Sequence, residues 1–167
     1  MQSVPPPERD LLRLMLEHGD EMVEFIFTHV TPRHFLHPQS HRVLDMIFSH
    51  REKREIWNAN VLVDETDDTE LRRFLADITF SKYELSKGWE ELDGVPEEAD
   101  PAKVAEQCMI ILRRQELEKL LAENQRLMKD AASRQEDVRP FIDHHQLLMR
   151  EKKDLEMFGL TGERTIS

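Results

Sequence analysis

The chain has 167 residues, enough for one domain of usual size or one domain with an appendage. It is 39% apolar and 34% charged, with five glycines, one tyrosine and a net charge of −11. So few glycines and a single tyrosine argue against a strand-rich fold, the lone Cys108 excludes an intramolecular disulfide and a cysteine zinc cluster, and the acidic balance disfavours direct nucleic-acid binding.

Residues 1–7, MQSVPPP, read as the end of an extended linker. A first helix is predicted from about Glu8, with Leu11, Leu12, Met15 and Leu16 as its apolar stripe. His18-Gly19 stops it, and Asp20 is the expected cap of a second helix carrying Met22, Val23, Phe25, Ile26 and Val30. Thr31-Pro32 opens a turn that sets Phe35 against the core. His37-Pro38 precedes a third helix with Val43, Leu44, Ile47 and Phe48 inward. Asn58 and Asp68 are expected N-caps of two shorter helices, one holding Val61 and Leu62, the other Leu71, Phe74, Leu75 and Ile78. Trp89 and Leu92 suggest one docked turn, followed by a loop over Gly94–Asp100.

Asp100-Pro101 places an N-cap and a proline at the first position of a long helix that runs to about Ser133. Leu117, Leu120, Leu121, Leu127, Met128 and Ala131 share one face, interrupted by Asn124, which either fixes register or faces solvent. A last helix is expected from near Asp137, with Pro140 harmless in its first turn and Val138, Phe141, Ile142, Leu147, Leu148, Met149 and Leu155 as its apolar residues. That is more apolar surface than a lone helical pair buries, which points to an interaction device. The predicted fold is all-α, a globular helical bundle joined by a long helix to a C-terminal antiparallel helical hairpin. Its expected divisions are the linker end 1–7, a bundle over 8–128, the hairpin over 129–158 and a flexible tail over 159–167.

His34, His37 and His41, with His50 further on, form the best candidate metal set and the basis for a metal-dependent hydrolase. Pro38 breaks their helical spacing and no cysteine completes them, so helix-end histidines are the preferred reading and no metal or cofactor is expected. His144 and His145 point about 100° apart and do not chelate one ion. The carboxylate pairs Asp67-Asp68 and Glu97-Glu98 lack a neighbouring base, and no phosphate loop or nucleophile elbow occurs, so no catalytic site is expected. No apolar stretch nears the roughly 20 residues that cross a bilayer, and no signal pattern is present; a cytoplasmic protein is expected.

ERDLLRLMLEHGDEMVEFI, TPRHFLHPQSHRVLDMIFSH and CMIILRRQELEKLLAENQRLMKDAASRQEDVRPFIDHHQLLMREKKDLE together resemble the C-terminal helicase-binding domain of bacterial replicative primase (DnaG-type), across residues 8–157. The amino-terminal domain of the replicative helicase itself, an oligomerisation and interaction domain, has a related bundle and is the alternative. The resemblance to primase implies a non-catalytic domain that tethers primer synthesis to the hexameric helicase and modulates it, primer synthesis itself lying in other domains. Its partner is the helicase amino-terminal domains, and no membrane is involved. The docking residues it implies are Val138, Phe141, Ile142, His145, Leu148, Met149, Arg150, Lys152 and Leu155.

Overall fold

The computed structural model describes residues 3–80 and 100–160, and these are all-α: seven α-helices and one 3-10 turn, with no strand among them. The helices are α1 (Pro6–His18), α2 (Asp20–His29), α3 (Pro38–Glu52), α4 (Ala59–Glu65), α5 (Thr69–Phe80), α6 (Pro101–Ser133) and α7 (Arg139–Phe158), and the 3-10 turn is Pro32–His34. The docked turn expected at Trp89 and Leu92 lies outside the described residues. The chain divides into two compact units, residues 1–109 and 110–167. The division therefore falls inside α6, some twenty residues before the expected boundary at 128/129. The first arm of the hairpin is the C-terminal part of α6, and a helix that runs on unbroken offers no linker composition to mark the change.

In the first unit, α1 packs against α2, α3 and α5, and α4 packs on α5. Leu11, Leu12, Leu14 and Met15 of α1 are fully buried, as are Val23, Ile26, Phe35, Val43, Ile47, Leu62 and Leu75. The expected linker end is shorter than read. Val4 is buried and α1 already starts at Pro6, because prolines at the first helical positions suit a turn whose N–H groups have no intrahelical acceptor. Gly19 adopts φ 74° between α1 and α2, where a side chain would be strained, and its N–H donates to Met15 O. Asp20 is the first residue of α2, not its cap. Its carboxylate accepts from Trp57 Nε1 at 2.9 Å and lies 3.3 Å from Arg51 Nε.

The caps expected at Asn58 and Asp68 are in place. Asn58 Oδ1 accepts from Val61 N at 2.9 Å, and Asp68 Oδ1 accepts from Glu70 N at 2.9 Å and Leu71 N at 3.1 Å. Asp68 also accepts from Arg42 of α3 at 2.6 Å, and that hydrogen bond holds its carboxyl below the usual range. Both non-glycine residues with positive φ among the described residues, Arg54 and Gln135, follow a helix end. In each case the next N–H reaches back five residues, Glu55 to His50 O and Glu136 to Ala131 O, so the left-handed residue closes a Schellman turn. Cys108 is buried, and that desolvation, with Asp10 nearby, pushes its thiol far up and leaves it unreactive.

Candidate partner-docking site

Three cross-contacts define the second unit. A Cβ at Gly159 would sit 3.7 Å from Ile110 Cδ1, Lys152 Nζ lies 3.5 Å from Glu118 Oε1, and Asn124 Nδ2 donates to Phe141 O at 2.8 Å. Positions on α7 fall as those on α6 rise, so the two helices form an antiparallel hairpin. The turn is the Schellman closure at Gln135, followed by Asp137, whose Oδ1 accepts from Arg139 N at 3.0 Å. The Arg139 guanidinium holds the Asp137 carboxyl below its ordinary range. α7 therefore begins at Arg139, two residues after the expected start.

On α6, Leu117, Leu121, Asn124, Met128 and Ala131 recur at alternating steps of four and three, the spacing of a coiled-coil seam. On α7 the same alternation runs through Phe141, His145, Leu148, Lys152 and Leu155. All ten are buried or half-buried. The open choice at Asn124 is thereby settled, since it is buried and its amide bonds across the seam, as a register-fixing polar residue does. Leu120 and Leu127, expected on the inner face of α6, lie outside it; both are one residue N-terminal to a seam position, and each step turns the helix by 100°.

The nine docking residues consequently separate. Leu148 and Leu155 are 3% and 5% exposed and cannot serve as free anchors in this state. Phe141, His145 and Val138 are half-buried, and Lys152 is half-buried with its ammonium on Glu118. Ile142 and Met149 are 42% and 46% exposed, seven residues apart on one outer flank, with Arg150 exposed beside them. Met157 and Phe158, which the sequence reading passed over, are exposed at the end of the same helix. Once Leu148 and Leu155 face inward, the 100° rotation turns Ile142 and Met149 outward. His145 Nδ1 is buried and has no hydrogen-bond partner among the described residues.

The ring nitrogens of His34, His37 and His50 in the first unit meet separate partners. His34 Nδ1 accepts from Thr31 N at 2.9 Å and His37 Nδ1 accepts from Gln39 N at 3.1 Å, so both rings cap helix ends, as preferred from the sequence. His50 is buried with Glu55 Oε2 at 2.9 Å from Nδ1 and Glu65 Oε1 at 2.7 Å from Nε2. Those nitrogens face opposite ways, so the ring bridges the α3 end to α4 and gathers no ligands. No group of three or more potential ligands that could hold a metal occurs among the described residues. No described helix is long and apolar enough to cross a membrane.

Charge follows the same division. Residues 1–109 hold 23 acidic and 12 basic side chains, whereas residues 110–167 hold eleven of each. A family described as a domain of unknown function, DUF8430, matches residues 2–158. The chain belongs to this family. The DUF8430 match spans the bundle and the hairpin alike, through Phe158 at the end of α7. Neither a curated protein nor a solved structure matches the chain.

Proposed function

We propose that this DUF8430 chain is a non-catalytic adaptor domain, of the kind that tethers a bacterial primase to the hexameric replicative helicase and modulates it. Two things support the reading. One is the resemblance of its segments to the primase helicase-binding domain. The other, which carries it, is an antiparallel hairpin whose second helix keeps Ile142, Met149 and Arg150 on an open flank after its own seam is filled. An amphipathic helix with apolar residues at seven-residue spacing suits a groove in a helical partner. Tethering of this kind acts through effective concentration, keeping a synthesising domain near freshly unwound strand. The helicase amino-terminal domains are the partner in this reading, the cytoplasm is the compartment, and no metal or cofactor is needed.

Within the nine residues, Ile142 and Met149 are the anchors in this reading, since Leu148 and Leu155 are buried in the seam. Arg150 and Lys153, both exposed, would speed association in a salt-sensitive way, as rim charges do. The test is fluorescence anisotropy of the labelled chain titrated with the amino-terminal domains of the cognate helicase. Saturable binding that weakens with added salt is expected. A flat titration at every concentration would leave the adaptor reading without a partner and overturn it, as would primer synthesis by this chain on single-stranded template.

A further inference from the structure

Glu55 stands between two clefts of the first unit. One is lined by Asp45, Ser49, Lys53 and Glu65 beside the His50 ring. The other, of about 430 Å³, is lined by Asp20, Arg51, Arg54, Ile56 and Trp57 and has room for a further side chain. The Glu55 backbone is fixed, because its N–H donates to His50 O at 2.9 Å in the Schellman turn. Its side chain is half exposed and borders both clefts. His50 is 6% exposed and has a carboxylate oxygen at each ring nitrogen, Glu65 Oε1 at 2.7 Å from Nε2 and Glu55 Oε2 at 2.9 Å from Nδ1. A nitrogen without hydrogen would turn a lone pair on one of these anions, so the arrangement is that of a doubly protonated ring.

We propose that Glu55 is a two-position arm set by the charge of His50, held on the ring while both nitrogens carry hydrogen and swung into the Trp57 cleft onto Arg54 once one hydrogen is lost. The two carboxylate contacts are unequal. Nδ1 is buried without a hydrogen-bond partner among the described residues, so Glu55 lies beside its N–H and not in line with it. Glu65 therefore keeps the hydrogen of a neutral ring, and Glu55 is the carboxylate that meets the bare nitrogen. The charged groups lining that cleft are Asp45 and Lys53 of α3, Glu55 of the loop and Glu65 of α4. With the ring neutral, three carboxylates share the single ammonium of Lys53, which drives out the one that can move. On the other side Arg51 is already held by Asp20 and Glu24, whereas Arg54 has no ion pair among the described residues. Histidine ordinarily changes charge between about pH 5 and pH 8, a range in which carboxyl groups ordinarily stay ionised. Lower pH thus keeps the arm on His50, and rising pH releases it. No hairpin residue takes part, so the switch stands or falls independently of helicase docking.

Fluorescence of Trp57 tests this in the full chain carrying Trp89→Phe, where Trp57 is the only tryptophan. Between about pH 5 and pH 8 its emission is expected to change in one step that follows the His50 ring signals in NMR. Glu55→Gln should lose the step while the His50 ring still titrates, which separates movement of the arm from protonation itself. Arg54→Ala should lose most of the step, because the released carboxylate then has no cation waiting for it. Both residues are exposed, so neither substitution disturbs the core. Circular dichroism should stay constant over the whole range in the parent and in both variants. No step in the parent, a step that coincides with loss of helix, or a step undiminished in Glu55→Gln or in Arg54→Ala would each overturn the proposal.

Discussion

Leu12, Ile26 and Leu75 in residues 1–109 have essentially no exposed surface, whereas the seam of the hairpin is two helices wide and its innermost leucines still touch solvent. The bundle surrounds its core on all sides with α1 at the centre; the hairpin can close only one face of each helix. The bundle also carries the chain's entire charge excess, and the hairpin is neutral with apolar side chains left on two flanks. A core closed on itself stabilises a scaffold. A half-closed seam between neutral helices is the part of the molecule that gains most from a partner.

The sharpest way to break this contrast is to remove one leucine from each unit. Leu75→Ala should destabilise the bundle by about 3 kcal/mol, because a fully enclosed site cannot collapse around the cavity. Leu121→Ala should cost the hairpin about 2 kcal/mol, at the low end of such truncations, since solvent and neighbours relax into the gap. Scanning calorimetry of both variants compares the two directly, and equal losses would erase the distinction. A stabilising change should be available only in the hairpin. His145→Leu is expected to raise stability by about 1 kcal/mol, by replacing a buried ring nitrogen that has no partner among the described residues with a group that needs none.

A smaller gain is expected at the hairpin turn. Gln135→Gly should add at most about 1 kcal/mol, because glycine adopts the left-handed conformation without the Cβ penalty that Gln135 bears at φ 60°. The smallest effect belongs to the bundle and to acid. The folded-state pKa of Asp68 is depressed by Arg42 and by the α5 N–H groups, so its contribution is complete above the ordinary carboxylate range. That contribution is lost as pH falls through the lowered value. Asp68→Asn should therefore flatten the acid limb of a stability–pH curve while leaving the neutral and alkaline parts parallel to the parent's. A curve of unchanged shape would show that the cap and the Arg42 pair contribute nothing.

The sequence made most of the bundle readable because its signals are local. Asn58 and Asp68 cap where a short oxygen-bearing side chain precedes an apolar run, and Asp100-Pro101 opens α6 where a capping carboxylate meets a proline. The proline run misled because the same residue type serves both an extended linker and a helix start, and only the burial of Val4 and Pro7 separates them. The hairpin's existence was legible, but which residues face inward was not. Both helices have apolar residues on more than one face, so periodicity alone admits several rotations. The Asn124 amide on the Phe141 carbonyl selects one, a contact 17 positions apart in sequence that no local pattern encodes.

In the proposed function the outer flank at Ile142 and Met149, rather than the seam, is the docking surface. Titration calorimetry of the full chain against the amino-terminal domains of the cognate replicative helicase measures it most directly, with Ile142→Glu, Met149→Glu and Leu127→Glu compared with the parent. Each of the first two is expected to weaken binding at least about tenfold with the helical content intact, and Leu127→Glu to bind as the parent does. Parent-like binding by folded Ile142→Glu and Met149→Glu would contradict the account.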